Sequence, residues 1–241
     1  MIILRIILDK KPGKNPIVIE GFPGFGLIGT IATEYLIETL KAELIGRFEF
    51  DEMPPTLAIH QGELVHPMGI FYSKEHNILI LHTILNTTGY EWKAASAILK
   101  MCDDFKADEV ISIEGVAGLM PGADTPKIYF FTQDKKKRAA LQNIGMNPIT
   151  ESIIMGVTGA LILKSTRPVT CFFAQTVSNL PDSKAAAGII ESIDKYLSLS
   201  IDTAPLIKQA EEFEKKLKKI QEQAVNATKE VEMSKKPIYL G

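Results

Sequence analysis

Short apolar runs bounded by turn residues recur along the chain, with longer segments of helical period between them. Strands are predicted over Ile2–Leu8, Pro16–Glu20, Glu43–Phe50, Gly69–Tyr72, Ile78–His82, Glu109–Glu114, Lys127–Phe131 and Val169–Thr176. Helices are predicted over Gly26–Leu40, Gly89–Phe105, Asp134–Asn143, Ser152–Lys164, Ser183–Leu199 and a long stretch after Thr203. Runs such as Ile17-Val18-Ile19, Ile78-Leu79-Ile80-Leu81 and Cys171-Phe172-Phe173-Ala174 are apolar without alternation. Strands read that way when helices cover both faces of their sheet. The pattern therefore predicts an α/β fold of three layers, a mostly parallel or mixed sheet covered by helices. Met53 to Gly69 holds three prolines, two glycines and two histidines, and reads as an irregular excursion or small hairpin outside the main sheet.

The pattern changes after Leu199. Leu206, Ala210, Phe213, Leu217, Ile220, Ala224, Ala227 and Val231 are separated by 4, 3, 4, 3, 4, 3 and 4 residues, a strict heptad stripe. Eight lysines and six glutamates lace the positions from Lys208 to Lys236. Asp202 and Thr203 supply an N-cap, Pro205 fits the first turn and Pro237 stops the helix. Three parts follow: a globular domain over 1–200, a long coiled-coil-like helix over 201–236, and a flexible apolar tail over 237–241. So narrow a stripe either folds back on its own domain or packs on a copy of itself, and the charge lacing favours self-association into a homo-oligomer. The tail Ile238-Tyr239-Leu240-Gly241 is apolar where a free end is ordinarily polar, and is expected to dock into a partner.

Composition narrows the function classes. The chain has 241 residues, 46% hydrophobic, with a formal net charge of −2. That balance gives no bulk field to draw it onto nucleic acid or an anionic membrane. No window nears the roughly 18 uninterrupted apolar residues of a membrane helix, and the N-terminal apolar stretch reads as a strand. Cys102 and Cys171 lie in apolar stretches without a C-x-x-C partner, which fits a reducing cytoplasm.

Candidate chemistry gathers at two glycine-rich loops. Gly21-Phe22-Pro23-Gly24-Phe25-Gly26-Leu27-Ile28-Gly29 follows a buried-type strand and opens a helix; Glu114-Gly115-Val116-Ala117-Gly118 follows another strand. Both fall at carboxyl ends of strands, where α/β ligand crevices form. The first contains G-x-G-x-x-G, yet Pro23 and Phe25 are bulky for a dinucleotide loop and no Gly-Lys-Ser/Thr follows. The glycines Gly21, Gly24, Gly26, Gly29, Gly115 and Gly118 read as packing elements first, an anion site second and a contact surface third. Glu20 and Glu114 each end a strand before a glycine, and read as amide-binding caps or as an acid–base pair. His60, His66, His76 and His82 show no helical ligand spacing, so no metal is expected. Cys171 lacks a nearby base, and Ser96, Ser112 and Ser178 lack a nucleophile elbow. No catalytic constellation and no cofactor site emerges.

The early strand with its glycine loop, the Glu114–Gly118 strand end, Gly156-Val157-Thr158-Gly159-Ala160-Leu161 and Pro181-Asp182-Ser183-Lys184-Ala185-Ala186 resemble the proteasome assembly chaperone 2 family. The charged helix and the apolar end look like its archaeal branch. The resemblance implies a nucleoside-phosphorylase-like architecture, small homo-oligomeric rings and chaperoning of proteasome core-particle assembly without nucleotide hydrolysis. It also implies proteasome α subunits as partners, reached by a hydrophobic-Tyr-X tail; here Tyr239 is third from the end. The alternative is a nucleotide- or nucleoside-processing enzyme (hydrolase, phosphorylase or ATP-grasp-like ligase) using the Gly24–Gly29 crevice.

Overall fold

Leu4–Leu8 (β1), Ile17–Gly21 (β2), Glu43–Phe50 (β3), Ala58–His60 (β4), Glu63–Val65 (β5), Met68–Ser73 (β6), Ile78–Thr83 (β7), Glu109–Ala117 (β8), Ile128–Thr132 (β9), Asn147–Pro148 (β10) and Val169–Thr176 (β11) are the strands of a computed structural model. The helices are Ile28–Thr39 (α1), Glu91–Phe105 (α2), Lys135–Asn143 (α3), Gly156–Lys164 (α4) and Ser183–Leu197 (α5), and the chain is helical again over 204–210. The described residues are 4–50, 58–60, 63–117, 126–176 and 180–210.

Nine strands form one mixed sheet in the order β1-β3-β6-β7-β2-β8-β11-β9-β10. The continuously apolar strands occupy its centre: β2 runs parallel to β7 and β8, and β8 runs parallel to β11. The half from β1 to β7 is antiparallel. One face carries Val18, Phe22, Val110 and Phe173 against α2 and α4; the other carries Ile19, Ile80, Ile111 and Phe172 against α1 and α5. Two apolar layers on one sheet are what non-alternating strands require, because both of their faces must leave water. The proline-rich excursion contains the β4–β5 hairpin, a separate two-stranded sheet.

Two boundaries differ from the sequence pattern by three residues or more. Helix α4 starts at Gly156, not Ser152, because Gly156 has φ of +70° and a left-handed residue cannot continue a right-handed helix. Strand β8 continues past Glu114 to Ala117, paired with β11 throughout. At the C-terminal end Asp202 caps the next helix, accepting from the Ala204 amide at 3.0 Å. Leu206 and Ala210, the first two positions of the heptad stripe, are buried, and Leu206 joins the core beside α1 and α5. Phe213, Leu217, Ile220, Ala224, Ala227, Val231 and the tail 237–241 lie outside the described residues, as does Gly118.

Candidate functional site

The glycine loop turns from β2 into α1 through one 3-10 turn, Phe25–Leu27, in which Gly26 has φ of +68°. Around it the backbones of three elements touch. A Cβ on Gly21 would lie 2.3 Å from the Gly29 carbonyl oxygen, and one on Gly29 would lie 2.8 Å from that of Ile113. A Cβ on Gly115 would lie 1.9 Å from the Phe25 carbonyl oxygen, and one on Gly24 2.0 Å from Oε1 of Glu114. Real Cβ contacts do not occur at these separations, so the loop, β8 and α1 close on each other only through glycine. The Gly26 carbonyl also accepts from the Asp182 amide at 2.9 Å. Asp182 in turn caps α5 through the Ala185 amide at 2.9 Å and accepts from the Thr176 hydroxyl at 2.7 Å.

Beneath the loop, two carboxyls are built into the apolar sheet face. Glu20 of β2 is opposite Ser112 of β8, and Ser112 is opposite Cys171 of β11. Ser112 Oγ and Glu20 Oε1 are in hydrogen-bond contact. Ser112 Oγ is 2.8 Å from the Thr158 hydroxyl of α4, which donates to Glu114 Oε2 at 3.0 Å. Burial pushes Glu20 up to about 8, with the Glu114 charge adding to the rise; burial pushes Glu114 up to about 7. Burial, then the charges of Glu20 and Glu114, lifts the Cys171 thiol well above its ordinary range, and burial pushes Cys102 up to about 12. Both thiols are buried and free.

On the opposite sheet face, His82 sits 2.9 Å from the Thr33 hydroxyl of α1 and edge-on to Phe71, and burial lowers it to about 4. His76 is 3.3 Å from Ser73, remote from that cluster in the β6–β7 turn. Among the described residues no group of three or more His, Cys, Asp or Glu is placed to hold a metal ion. No described helix is long and apolar enough to cross a membrane.

Five of the six glycines named from sequence therefore converge here, with Glu20 and Glu114. Both carboxyls cap a following amide, Phe22 and Gly115 respectively, and they are also joined through two hydroxyls. Thr158, and the linking role of Ser112, escaped the sequence reading. The available signal was a lone hydroxyl in each of two apolar stretches, Ile111-Ser112-Ile113 and Val157-Thr158-Gly159.

The four segments that meet at this point are the ones that carry the family resemblance, and the family model agrees: the model of the PAC2 family matches residues 18–221. The chain belongs to the PAC2 family. Pyrococcus furiosus PbaA, described as an archaeal homolog of proteasome-assembly chaperone, superposes with a TM-score of 0.81 at 28% identity, covering 98% of this chain and 99% of PbaA. Pyrococcus furiosus PbaB, described as an archaeal proteasome activator, shares the fold with a TM-score of 0.78 at 23% identity over 90% of this chain and 98% of PbaB. An uncharacterised protein of Methanocaldococcus jannaschii is 29% identical over 213 residues, 87% of each chain. The expected α/β architecture is thus the PAC2 fold.

Proposed function

We propose that this PAC2 protein is a proteasome-interacting factor of the assembly-chaperone or activator kind, working on core-particle α subunits. The likeness to PbaA along 98% of the chain at 28% identity carries this reading. In the finer form, the protein acts in the cytoplasm as a homo-oligomer. Its stripe from Phe213 to Val231 joins copies, and the end Ile238-Tyr239-Leu240-Gly241 is the tether. The strict heptad spacing and the apolar end support that form. Tyr239 is the expected anchor, with a large apolar ring and a hydroxyl for the mouth of a pocket. The enzyme reading of the 24–29 crevice gains no support from the comparisons.

The test is a binding titration of the full-length protein against purified archaeal α-subunit rings and core particles, with core-particle formation followed in parallel. Capture of α subunits, or a changed assembly rate, is expected. Tyr239→Ala is expected to weaken capture by on the order of 2 kcal/mol. Absence of both capture and any effect on assembly would remove the proteasome reading; equal capture by the variant would remove only the tail.

A further inference from the structure

Three oxygen-to-oxygen contacts link Glu20 to Glu114: Glu20 to Ser112, Ser112 to Thr158, and Thr158 to Glu114. Each contact needs one proton between its two oxygens. The two hydroxyls supply two protons. The third must reside on a carboxyl, because a carboxylate pair accepts only. With one proton on Glu20 the chain runs Glu20 to Ser112 to Thr158 to Glu114; with it on Glu114 every donor reverses. Either arrangement satisfies all three contacts. With both carboxyls ionised, neither does.

We propose that this proton is the latch that fastens the N-terminal turn of α4 to the sheet, and that its removal releases that turn. Three of the participating groups are on the sheet, while Thr158 is on α4. Thr158 is the buried polar side chain that α4 lends to the network. The helix has little else polar to hold its start. Its N-cap residue, Met155, makes no side-chain cap bond, and Gly156 before Val157 is left-handed. The groups facing the carboxyls are Ser112, Thr158, the Cys171 thiol and the Phe22 and Gly115 amides. The charge that Glu20 faces is that of Glu114, and it opposes ionisation. The raised affinities for protons, about 7 for Glu114 and about 8 for Glu20, leave one proton on the pair near neutrality. The latch is closed there and opens as pH rises through about 8.

Released, the turn would free the neighbouring segment, where Ile153 and Met155 are already exposed at 86% and 77%. The device is independent of what the protein binds.

Amide hydrogen exchange tests it. Protection of residues 157–161, corrected for intrinsic rate, is compared with that of α5, which packs on the opposite face and shares none of the network. Between pH 6.5 and 9.5 the ratio should fall at least tenfold in the wild type. In Glu20→Gln the side-chain amide donates a permanent proton to Ser112, so the ratio should stay flat. Glu114→Gln should do the same from the other end, and serves alone if Glu20→Gln does not fold. Thr158→Val, close in shape but without the hydroxyl, should lower the ratio at neutral pH and remove its pH dependence. A flat wild-type ratio, or a fall in the glutamine variants equal to that of the wild type, would overturn the latch.

Discussion

Gly24 and Glu114 are separated by less than a side chain: a Cβ on Gly24 would stand 2.0 Å from Oε1 of Glu114. The glycine loop and the end of β8 thus fit each other only while position 24 has no side chain.

The nature of the obstacle ranks three alanine substitutions. At Gly115 the colliding atom is the Phe25 backbone oxygen, at 1.9 Å, which cannot move without moving the loop. Gly115→Ala should cost about 3 kcal/mol. At Gly24 the obstacle is a side-chain oxygen that rotates away at the expense of its contacts, so Gly24→Ala should cost about 1–2 kcal/mol. Gly89 has nothing within 4 Å but φ of +85°, and Gly89→Ala should cost only the strain, about 1 kcal/mol. Urea unfolding measures all three, and a Gly115→Ala cost no larger than that of Gly89→Ala would refute the ranking.

His82 provides a pH dependence of opposite sign to the carboxyl latch. Its folded-state value, about 4, is below the ordinary 6.5 because burial disfavours the imidazolium. The unfolded chain therefore binds more protons between pH 6.5 and 4, and the stability contributed by neutral His82 is lost as pH falls through that window. The loss should approach roughly 3 kcal/mol. His82→Gln, which cannot protonate, should show a shallower fall of thermal midpoint from pH 7 to 4.5. Parallel curves for the two proteins would rule out this contribution.

Glu109 should be the most sensitive ion-pairing residue. It is 8% exposed and holds Lys137 at 2.8 Å, the Thr170 hydroxyl at 2.5 Å and the Tyr196 hydroxyl at 3.1 Å. Glu109→Ala leaves the buried Thr170 hydroxyl and the half-buried Tyr196 hydroxyl without that partner and should cost roughly 2–3 kcal/mol in chemical unfolding. Lys10→Ala, at the pair Lys10–Glu43 where both side chains are exposed, should change stability by less than about 0.5 kcal/mol. Similar costs for the two would contradict the assignment.

The heptad stripe should divide by function. Leu206 is in the chain's own core, so Leu206→Ala should lower stability by about 2–4 kcal/mol at any protein concentration. Leu217→Ala and Ile220→Ala should instead lower the mass seen by light scattering, with the midpoint depending on concentration. A wild-type mass of one 26.6 kDa chain at micromolar concentration would discard the oligomer.

The layers of the fold were legible in the sequence because local patterns impose them. Strands Glu43–Phe50 and Val169–Thr176 have the bounds that the local pattern predicts. The start of α5 at Ser183 was equally local, since an amphipathic run opens there, and the structure adds the Asp182 carboxylate before it, which accepts from the Ala185 amide. The glycine loops were visible for the same reason. Glycine spacing reports that backbone must pass closely, though not what it passes.

What only the tertiary structure decided is which distant residues share a proton and which surfaces the stripe meets first. Glu20, Ser112, Glu114 and Thr158 come from β2, β8 and α4, and no spacing in the chain encodes their meeting. The register of β2 on β8 places Glu20 beside Ser112, and the packing of α4 across that face brings the Thr158 hydroxyl to Ser112 and Glu114. Nor does the heptad pattern state that Leu206 and Ala210 are buried in the chain's own fold. Hydrophobic period specifies that a face must be covered; the cover is chosen by the sum of contacts in three dimensions, which no local pattern contains.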